Sequence, residues 1–226
     1  MHTVLITGSN RGIGLELTRQ YAADGWRVIA CCRAPREAPE LKRLGGKVEI
    51  HQLDVTSRES IGKLAHALAG VPIDVLINNA GMHDDRLPFG ATDTAHWLKV
   101  LEVNCIAPIQ MTAALLDNVA ASAQKKVVAV SSRVGSIGDG PTGGSYAYRT
   151  SKTALNMAMA NAAHELKGRG VTVMLVHPGW VQTDMGGPGA PVTVEQSVAG
   201  LRRLIDKVTP RETGHFYDYT GRQLPW

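Results

Sequence analysis

Short runs of apolar, mostly β-branched residues alternate along the chain with longer stretches of helical periodicity. The short runs cover residues 3–6, 28–30, 48–50, 75–77, 127–130 and 171–176, and a weaker one covers 215–217. Nearly continuous Val, Ile and Leu runs of this length are typical of strands that are buried on both faces. We therefore predict six buried strands and one short edge strand.

Helical periodicity fills the intervals between these strands. The predicted helices cover residues 14–24, 37–44, 57–68, 92–103, 108–121, 146–167 and 194–208. Alternation of strands and helices implies right-handed crossovers between parallel strands, with helices on both faces of the sheet. The pattern predicts one doubly wound α/β domain with a mostly parallel sheet, covering residues 1–226.

Two predicted loops are longer than the others. Residues 135–145 and 186–192 are rich in glycine and proline, and each loop follows a predicted strand. Ligands of open parallel sheets bind beyond the carboxyl ends of the strands. We therefore expect both loops to line a substrate site.

Composition excludes several classes of protein. Hydrophobic residues make up 44% of the 226 and charged residues 19%, which is close to the globular average. No apolar run reaches the ~18–20 residues that span a membrane, and residues 1–7 lack the basic start of a signal peptide. The three cysteines, Cys31, Cys32 and Cys105, form no C-x-x-C pattern and suit a reducing compartment. These features predict a soluble, cytoplasmic protein without a membrane partner.

The net charge of +4 does not by itself indicate a nucleic-acid partner. The basic residues are dispersed and aromatic residues are only 5% of the chain, so we predict a mixed solvated surface and no nucleic-acid binding. The eight histidines form no H-E-x-x-H pattern, and we predict no metal site.

A glycine-rich turn follows the first predicted strand and opens the first helix. Its sequence is Thr7-Gly8-Ser9-Asn10-Arg11-Gly12-Ile13-Gly14. Glycines let the backbone approach a pyrophosphate closely, and a helix N-terminus offers free N–H groups and a favourable dipole. The spacing differs from both G-x-G-x-x-G and the P-loop, but its place between strand and helix predicts dinucleotide binding in a Rossmann-type domain.

The end of the second predicted strand bears on which dinucleotide binds. A carboxylate about twenty residues after the glycines would hold the ribose hydroxyls of NAD. Here the sequence is Cys31-Cys32-Arg33, without a carboxylate. Arg33, with Arg11 inside the turn, supplies the positive charge that a 2′-phosphate needs. We therefore predict NADP (NADPH) as the cofactor, although Arg33 is also compatible with a solvated residue at a strand end.

A candidate catalytic group lies further along the chain. Tyr148 and Lys152 are four residues apart in a predicted helix and share one face. An ammonium beside a phenol lowers the phenol pKa from ~10, which makes it a usable acid or base. Upstream, Ser132 ends a predicted buried strand, and its hydroxyl can polarise a carbonyl. Asn104 follows a helical stretch, where it can interrupt the helix and hold a water.

Taken in order, these motifs resemble those of the short-chain dehydrogenase/reductase family. The resemblance covers essentially the whole chain and rests on the turn at 7–14, Asn78-Asn79-Ala80-Gly81, Asn104, Ser132, Tyr148-x-x-x-Lys152 and Pro178-Gly179. The stretch 131–137 and the glycine-rich segment after it are similar to the C-factor and carbonyl-reductase-like branch.

The resemblance implies catalytic roles for four residues. Tyr148 would exchange a proton with the substrate oxygen, and Ser132 would bind that oxygen. Lys152 would lower the pKa of Tyr148 and hydrogen-bond the nicotinamide ribose. Asn104 would anchor a water that relays protons to Lys152.

The resemblance also implies a set of cofactor contacts beyond the glycine turn. Asp54 and Val55 would flank the adenine, and Asn79-Ala80-Gly81 would line the adenine ribose. The nicotinamide would lie against Pro178, Gly179, Val181 and Thr183. Taken without the resemblance, residues 78–81 are equally compatible with an ordinary turn, and Asp54 with a helix N-cap.

One departure from the family pattern concerns the serine. Ser132 lies sixteen residues before Tyr148, whereas the commoner offset of thirteen falls on Gly135, which has no hydroxyl. We expect a loop insertion and keep Ser132 as the substrate-binding serine, with Ser136 as the weaker alternative.

The predicted function is NADP-dependent hydride transfer between nicotinamide and a small carbonyl or alcohol. The alternative is a dinucleotide-binding regulatory or signalling protein with little or no turnover, although such relatives tend to lack the tyrosine or the lysine. A sugar epimerase or dehydratase would need a larger domain than the 47 residues after Gly179. Residues 154–163 are small and apolar around most of the helix, so we predict a homodimer or homotetramer formed through this helix and 108–121.

Overall fold

A single parallel sheet forms the centre of the molecule. In the computed structural model, which describes residues 1–84, 87–91, 93–140 and 142–226, this sheet has seven strands, in the order β3-β2-β1-β4-β5-β6-β7. The strands are β1 (Thr3–Thr7), β2 (Arg27–Cys32), β3 (Lys47–Gln52), β4 (Val75–Asn78), β5 (Lys126–Val130), β6 (Thr172–His177) and β7 (Phe216–Asp218). Every neighbouring pair is parallel. The predicted Rossmann-type α/β fold is confirmed, and even the edge strand is parallel.

The helices cover both faces of the sheet. They are α1 (Gly12–Ala23), α2 (Pro39–Arg43), α3 (Arg58–Ala67), α4 (Thr94–Leu101), α5 (Ala107–Ala114), α6 (Leu116–Ala120), α7 (Tyr146–Leu166) and α8 (Val194–Lys207). A π turn, Glu102–Ile106, joins α4 to α5, and a 3₁₀ turn, Arg133–Gly135, follows β5. None of the helices in the described ranges is long and apolar enough to cross a lipid bilayer.

Alternation of side chains along the strands produces two cores, one on each face. In β1, Leu5 points to the core that α3, α5 and α7 cover, where it joins Met111 and Leu155. Its neighbour Ile6 points to the opposite core and joins Leu17 of α1 and Leu201 of α8. Because both faces are covered, the strands are apolar at nearly every position, which is the pattern that identified them.

The structure differs from the predicted elements mainly where a helix is interrupted. The segment 37–44 divides into a 3₁₀ turn, Pro35–Glu37, and the short α2, because Pro39 has no N–H to continue the first turn. The predicted helix 92–103 begins at α4, where the Asp93 carboxylate accepts a hydrogen bond from the His96 N–H at 2.8 Å; Thr92 lies outside the described residues. The helix 108–121 becomes α5 and α6.

The strand order reverses at the centre of the sheet. β1 pairs with β2 on one side and with β4 on the other. The connections that leave the carboxyl ends of β1 and β4 run to opposite faces of the sheet. They open a crevice at this edge, which is where dinucleotides bind in such sheets. The two loops expected to line a substrate site follow β5 and β6 at the same edge; Pro141 of the first loop lies outside the described residues.

Candidate active site

A cleft of about 760 Å³ opens beyond the carboxyl ends of β1 and β4. Most of the predicted cofactor residues line it. They are Gly8, Asn10, Arg11, Gly12, Ile13, Gly14, Arg33, Asp54, Val55, Asn79, Ala80, Gly81, Tyr148, Lys152, Pro178 and Thr183. The structure therefore brings together segments that are up to 175 residues apart, from Gly8 to Thr183.

Three predicted cofactor residues do not line the cleft, and each has a structural role instead. The Ser9 hydroxyl is buried, donates to the Ile6 carbonyl at 2.7 Å and accepts from the Cys31 N–H at 3.1 Å, which ties β1 to β2. Val181 is 4% exposed because it pairs with a second buried valine in the loop after β6. Gly179 packs on the Tyr219 ring, because a Cβ at this glycine would lie 3.0 Å from the nearest ring carbon.

The glycine turn is braced from the neighbouring strand. The Asn79 amide donates to the carbonyls of Thr7 and Gly8, at 2.9 and 3.2 Å. A Cβ on Gly14 would lie 2.2 Å from the Gly8 oxygen and 2.6 Å from the Asn79 amide nitrogen, so only glycine fits there. The first turn of α1 thus meets the cleft with its backbone, as an anion site at a helix N-terminus requires.

The two arginines predicted to bind a 2′-phosphate have different surroundings. Arg33 is exposed at the cleft wall, and within the described ranges it forms no ion pair. Arg11 is ion-paired with Asp184, at 2.8 Å between Nη1 and Oδ2. The Asp54 carboxylate accepts from both the N–H and the hydroxyl of Thr56, and these bonds hold the pKa of Asp54 below its usual value.

Tyr148 and Lys152 lie on one face of α7, at the floor of the cleft. The Lys152 ammonium is buried, donates to the Val130 carbonyl at 2.8 Å and lies 5.7 Å from the centre of the Tyr148 ring. Burial lowers the pKa of Lys152 to about 8. Burial raises the pKa of Tyr148, the neighbouring Ser132 hydroxyl lowers it in part, and the Asp84 carboxylate raises it further. In this arrangement the tyrosine does not have the lowered pKa that the family resemblance implies.

The structure distinguishes between the candidate serines. Ser132 lies two residues after β5 with extended backbone, and its hydroxyl lies close enough to lower the pKa of Tyr148. Ser136 lies beyond the 3₁₀ turn, where its hydroxyl accepts from the Asp139 N–H at 3.0 Å. At Gly135, the position thirteen before Tyr148, a Cβ would lie 2.7 Å from the Lys152 Cβ, so any side chain would have to displace its neighbours. Ser132 is the serine that the fold places beside the tyrosine.

Asn104 lies in the middle of the π turn, a local widening of a helix that is frequent at functional sites. Its amide donates to the Met82 carbonyl and to the Ser151 hydroxyl, and its oxygen accepts from the Met82 N–H at 2.9 Å. Gly81 lies beside both Asn104 and Lys152: a Cβ there would be 3.3 Å from the amide oxygen and 3.7 Å from Nζ. The side chain is thus bonded to protein groups, and the predicted water relay stays a prediction.

Sequence reasoning missed several residues that line or adjoin the cleft. Lys99 and Val103 line it and are four residues apart in one continuous helical stretch, so helical periodicity could have found them. Asp184 directly follows the predicted Thr183. By contrast, no spacing in the sequence indicates that the His83 ring lies against Tyr148, with 4.4 Å between centroids.

Within the described ranges, no group of three or more His, Cys, Asp or Glu side chains is placed to hold a metal ion.

Comparison with known proteins identifies the family. Residues 2–190 match the protein family described as short chain dehydrogenase. The chain belongs to the short-chain dehydrogenase/reductase family. It is an oxidoreductase of that family by fold and by sequence.

Individual members of the family resemble this chain closely. It is 43% identical to the C-signal of Myxococcus xanthus over 155 residues, which is 69% of this chain and 93% of that protein. It is 39% identical over 233 aligned residues, with full coverage of both chains, to 1-hydroxy-2-glutathionyl-2-methyl-3-butene dehydrogenase of Rhodococcus. The crystal structure of NADPH-bound carbonyl reductase from chicken fatty liver superposes with a TM-score of 0.92 at 32% identity, covering 100% of this chain and 99% of that one.

Proposed function

We propose that this chain is an NADP-dependent reductase that interconverts small carbonyl compounds and alcohols, with Tyr148 as proton donor and acceptor. The observation that carries the proposal is the convergence of Tyr148 and Lys152 in a cleft that Arg33 also lines, with the Ser132 hydroxyl beside Tyr148. The similarity to a carbonyl reductase that binds NADPH supports the same conclusion.

The cleft fits the cofactor in both shape and charge. The turn at 8–14 offers backbone N–H groups and no side-chain bulk where a pyrophosphate would bind. Arg33 would meet the 2′-phosphate, and Asn79, Ala80 and Gly81 would line the adenine ribose. NADPH, when bound, supplies the hydride for the carbonyl carbon.

Two residues of this chain act on the substrate oxygen, one as proton donor and the other as hydrogen-bond donor. In reduction, the Tyr148 hydroxyl donates its proton to that oxygen, while the Ser132 hydroxyl hydrogen-bonds it and fixes its position. The raised pKa of Tyr148 keeps the phenol protonated at neutral pH, as an acid must be. Alcohol oxidation uses the phenolate as base and is therefore expected to increase with pH.

A panel of carbonyl compounds tests this function. Purified protein is mixed with NADPH and simple aldehydes, ketones and diketones, and the loss of reduced-cofactor absorbance is followed. The reverse direction uses NADP with simple alcohols and with a glutathionyl hydroxyalkene, because one relative is named for such a substrate. Turnover of at least one compound is expected, and absence of turnover across the panel in both directions contradicts the proposal.

The 43% identity to C-signal favours a second candidate, a signalling protein that binds the dinucleotide with little or no turnover. Both candidates require cofactor binding, so turnover separates them. Tight NADPH binding without turnover of any compound would favour the signalling function.

A further inference from the structure

A buried carboxylate joins the segment after β4 to the first turn of α7. The Asp84 side chain is only 2% exposed, and its Oδ2 accepts a hydrogen bond from the Ala147 N–H at 3.0 Å. Ala147 directly precedes Tyr148, and N–H groups in the first turn of a helix have no partner within the helix. A carboxylate is stabilised there by the helix dipole as well as by the hydrogen bond.

The residue before this carboxylate contacts the tyrosine itself. The His83 ring lies 4.4 Å from the Tyr148 ring, tilted by 36°, and its Nδ1 is 2.5 Å from the Asp84 carbonyl oxygen. Two adjacent residues therefore hold Tyr148. Asp84 acts through the N–H of the preceding Ala147, and His83 acts through the Tyr148 ring.

The backbone that enters α7 needs such support. Ser145 has a φ of 49°, in the left-handed region that residues with a side chain seldom adopt. The helix begins at the next residue, and the Ser145 side chain forms no capping hydrogen bond within the described part of the chain. The contact from Asp84 is thus a side-chain restraint on the turn that carries Tyr148.

We propose that Asp84 is a positioning residue for the proposed reductase reaction: its buried carboxylate fixes the first turn of α7 and, together with the tilted His83 ring, the place of the Tyr148 hydroxyl. This inference rests on the proposed function. It assigns Asp84 no contact with the substrate.

The charge of Asp84 provides a readout that a purely structural role would not change. Among the residues that the structure describes, the titratable groups that face Tyr148 are Asp84 and His83 from the segment after β4, and Lys152 from α7. Burial raises the pKa of Tyr148 most, the Ser132 hydroxyl lowers it in part, and the negative charge of Asp84 raises it further. Alcohol oxidation needs the phenolate, so kcat/KM rises as pH passes through this pKa, and removing the charge moves that rise to lower pH.

Two substitutions separate geometry from charge. Asp84→Asn keeps an amide oxygen that can accept from the Ala147 N–H but removes the charge, whereas Asp84→Ala removes both. We expect Asp84→Ala to lose about tenfold or more in kcat with NADPH affinity unchanged, because small misplacements of reacting groups are costly. We expect Asp84→Asn to retain more activity and to shift the rise of kcat/KM to lower pH.

A matched control is Asp93→Asn, which removes the charge of a helix-capping aspartate at α4. It should leave kcat and the pH profile unchanged. The inference is overturned if Asp84→Ala keeps wild-type kcat, if both Asp84 variants keep the wild-type pH profile, or if lost activity only follows lost NADPH binding or unfolding.

Tyr148→Phe in the same assay separates the two proposals. An inactive wild type, or a Tyr148→Phe variant with wild-type rate, removes the proposed function. An active wild type with an impaired Tyr148→Phe variant and unaffected Asp84 variants removes only the role of Asp84.

Discussion

The Arg11 guanidinium and the Asp184 carboxylate lie 2.8 Å apart and join the turn after β1 to the loop after β6. Both side chains are largely exposed, so the pair contributes little to stability. The Asp184 carboxylate nevertheless offsets the positive charge of Arg11, whereas Arg33 forms no ion pair within the described ranges. Arg33 is therefore the stronger candidate for a 2′-phosphate contact.

Replacing Arg33 should change the choice of cofactor. Charged hydrogen bonds contribute about 1.5–3 kcal/mol each, so Arg33→Ala should weaken NADPH binding by roughly ten- to a hundredfold. NADH has no 2′-phosphate and should bind almost as before. The measurement is a pair of dissociation constants for NADPH and NADH on each protein.

Arg36→Ala is the control, since Arg36 is exposed three residues further on and does not line the cleft. The assignment fails if wild type prefers NADH, or if Arg33→Ala weakens both cofactors equally.

Removing the Tyr148 hydroxyl should abolish most turnover without affecting cofactor binding. Loss of a general acid costs about 10²–10⁴ in rate, which is the fall in kcat expected for Tyr148→Phe. Tyr146→Phe is a matched control two residues earlier, where the ring packs against Phe89 and Trp97 rather than facing the cleft. Near wild-type turnover by Tyr148→Phe, measured with NADPH bound, would contradict its assignment as the proton donor.

The elements that carry the site could be predicted because their signals are local. The β1 run and the glycines after it are contiguous, and Tyr148 and Lys152 are one helical turn apart, so periodicity and spacing were sufficient. Ser9 shows the limit of this approach: it lies inside the motif, but its hydroxyl bonds to the sheet instead of facing the cleft.

Other features depend on contacts between distant segments, which no local pattern encodes. The Arg11–Asp184 pair spans 173 positions, and the Asp84 contact with α7 spans 63. The raised pKa of Tyr148 follows mainly from burial, which the Tyr-x-x-x-Lys spacing does not indicate. Spacing, together with the family resemblance, thus identified candidate residues of the site but not their electrostatics.

Burial of Lys152 should give the protein a characteristic dependence of stability on pH. The pKa is lowered from 10.5 to about 8, so the full cost of burying the charge is present below about pH 8. Between 8 and 10.5 the folded state releases this proton before the unfolded state does, and stability increases. Relative to Lys152→Met, wild type should therefore gain at most about 3.5 kcal/mol over this range, since one pKa unit is about 1.4 kcal/mol.

Denaturant unfolding of both proteins at several pH values measures this difference. Lys63→Met is the control because Lys63 is an exposed lysine on α3. A difference between wild type and Lys152→Met that stays constant with pH would show that Lys152 has an ordinary pKa.

The close contact between Gly135 and α7 predicts the effect of adding one methyl group. A Cβ would lie 2.7 and 2.8 Å from the Lys152 Cβ and carbonyl carbon, so Gly135→Ala must displace the helix or the 3₁₀ turn. Overpacking of this kind costs about 1–3 kcal/mol, and we expect kcat to fall as well. Gly62→Ala, in an open position on α3, should instead stabilise the protein by about 0.5–1 kcal/mol. Equal unfolding free energies for Gly135→Ala and wild type would contradict the tight packing.

The homodimer or homotetramer stays a prediction. Met157, in the predicted interface helix 154–163, is 64% exposed. Leu98 of α4 and Ile106 of the π turn lie outside the two predicted interface helices and are 61% and 48% exposed. We expect light scattering to give a multiple of the 24.2 kDa chain mass, and Met157→Lys to weaken the association. Ile137→Lys, in the loop after β5, is the control and should not weaken the association. A single species of monomer mass at micromolar concentration would refute the prediction.

The position of β1 in the sheet has a consequence for how the chain acquires its fold. This strand comes first in sequence but lies between β2 and β4, and all of its pairings are parallel. Its second neighbour, β4, is complete only after Asn78 has been synthesised. β7, at the edge of the sheet far from β3, follows more than a hundred residues later. Pairing between strands so distant in sequence is slow, and unpaired strand edges promote association of incomplete chains. The yield on refolding from denaturant should therefore decrease as protein concentration rises.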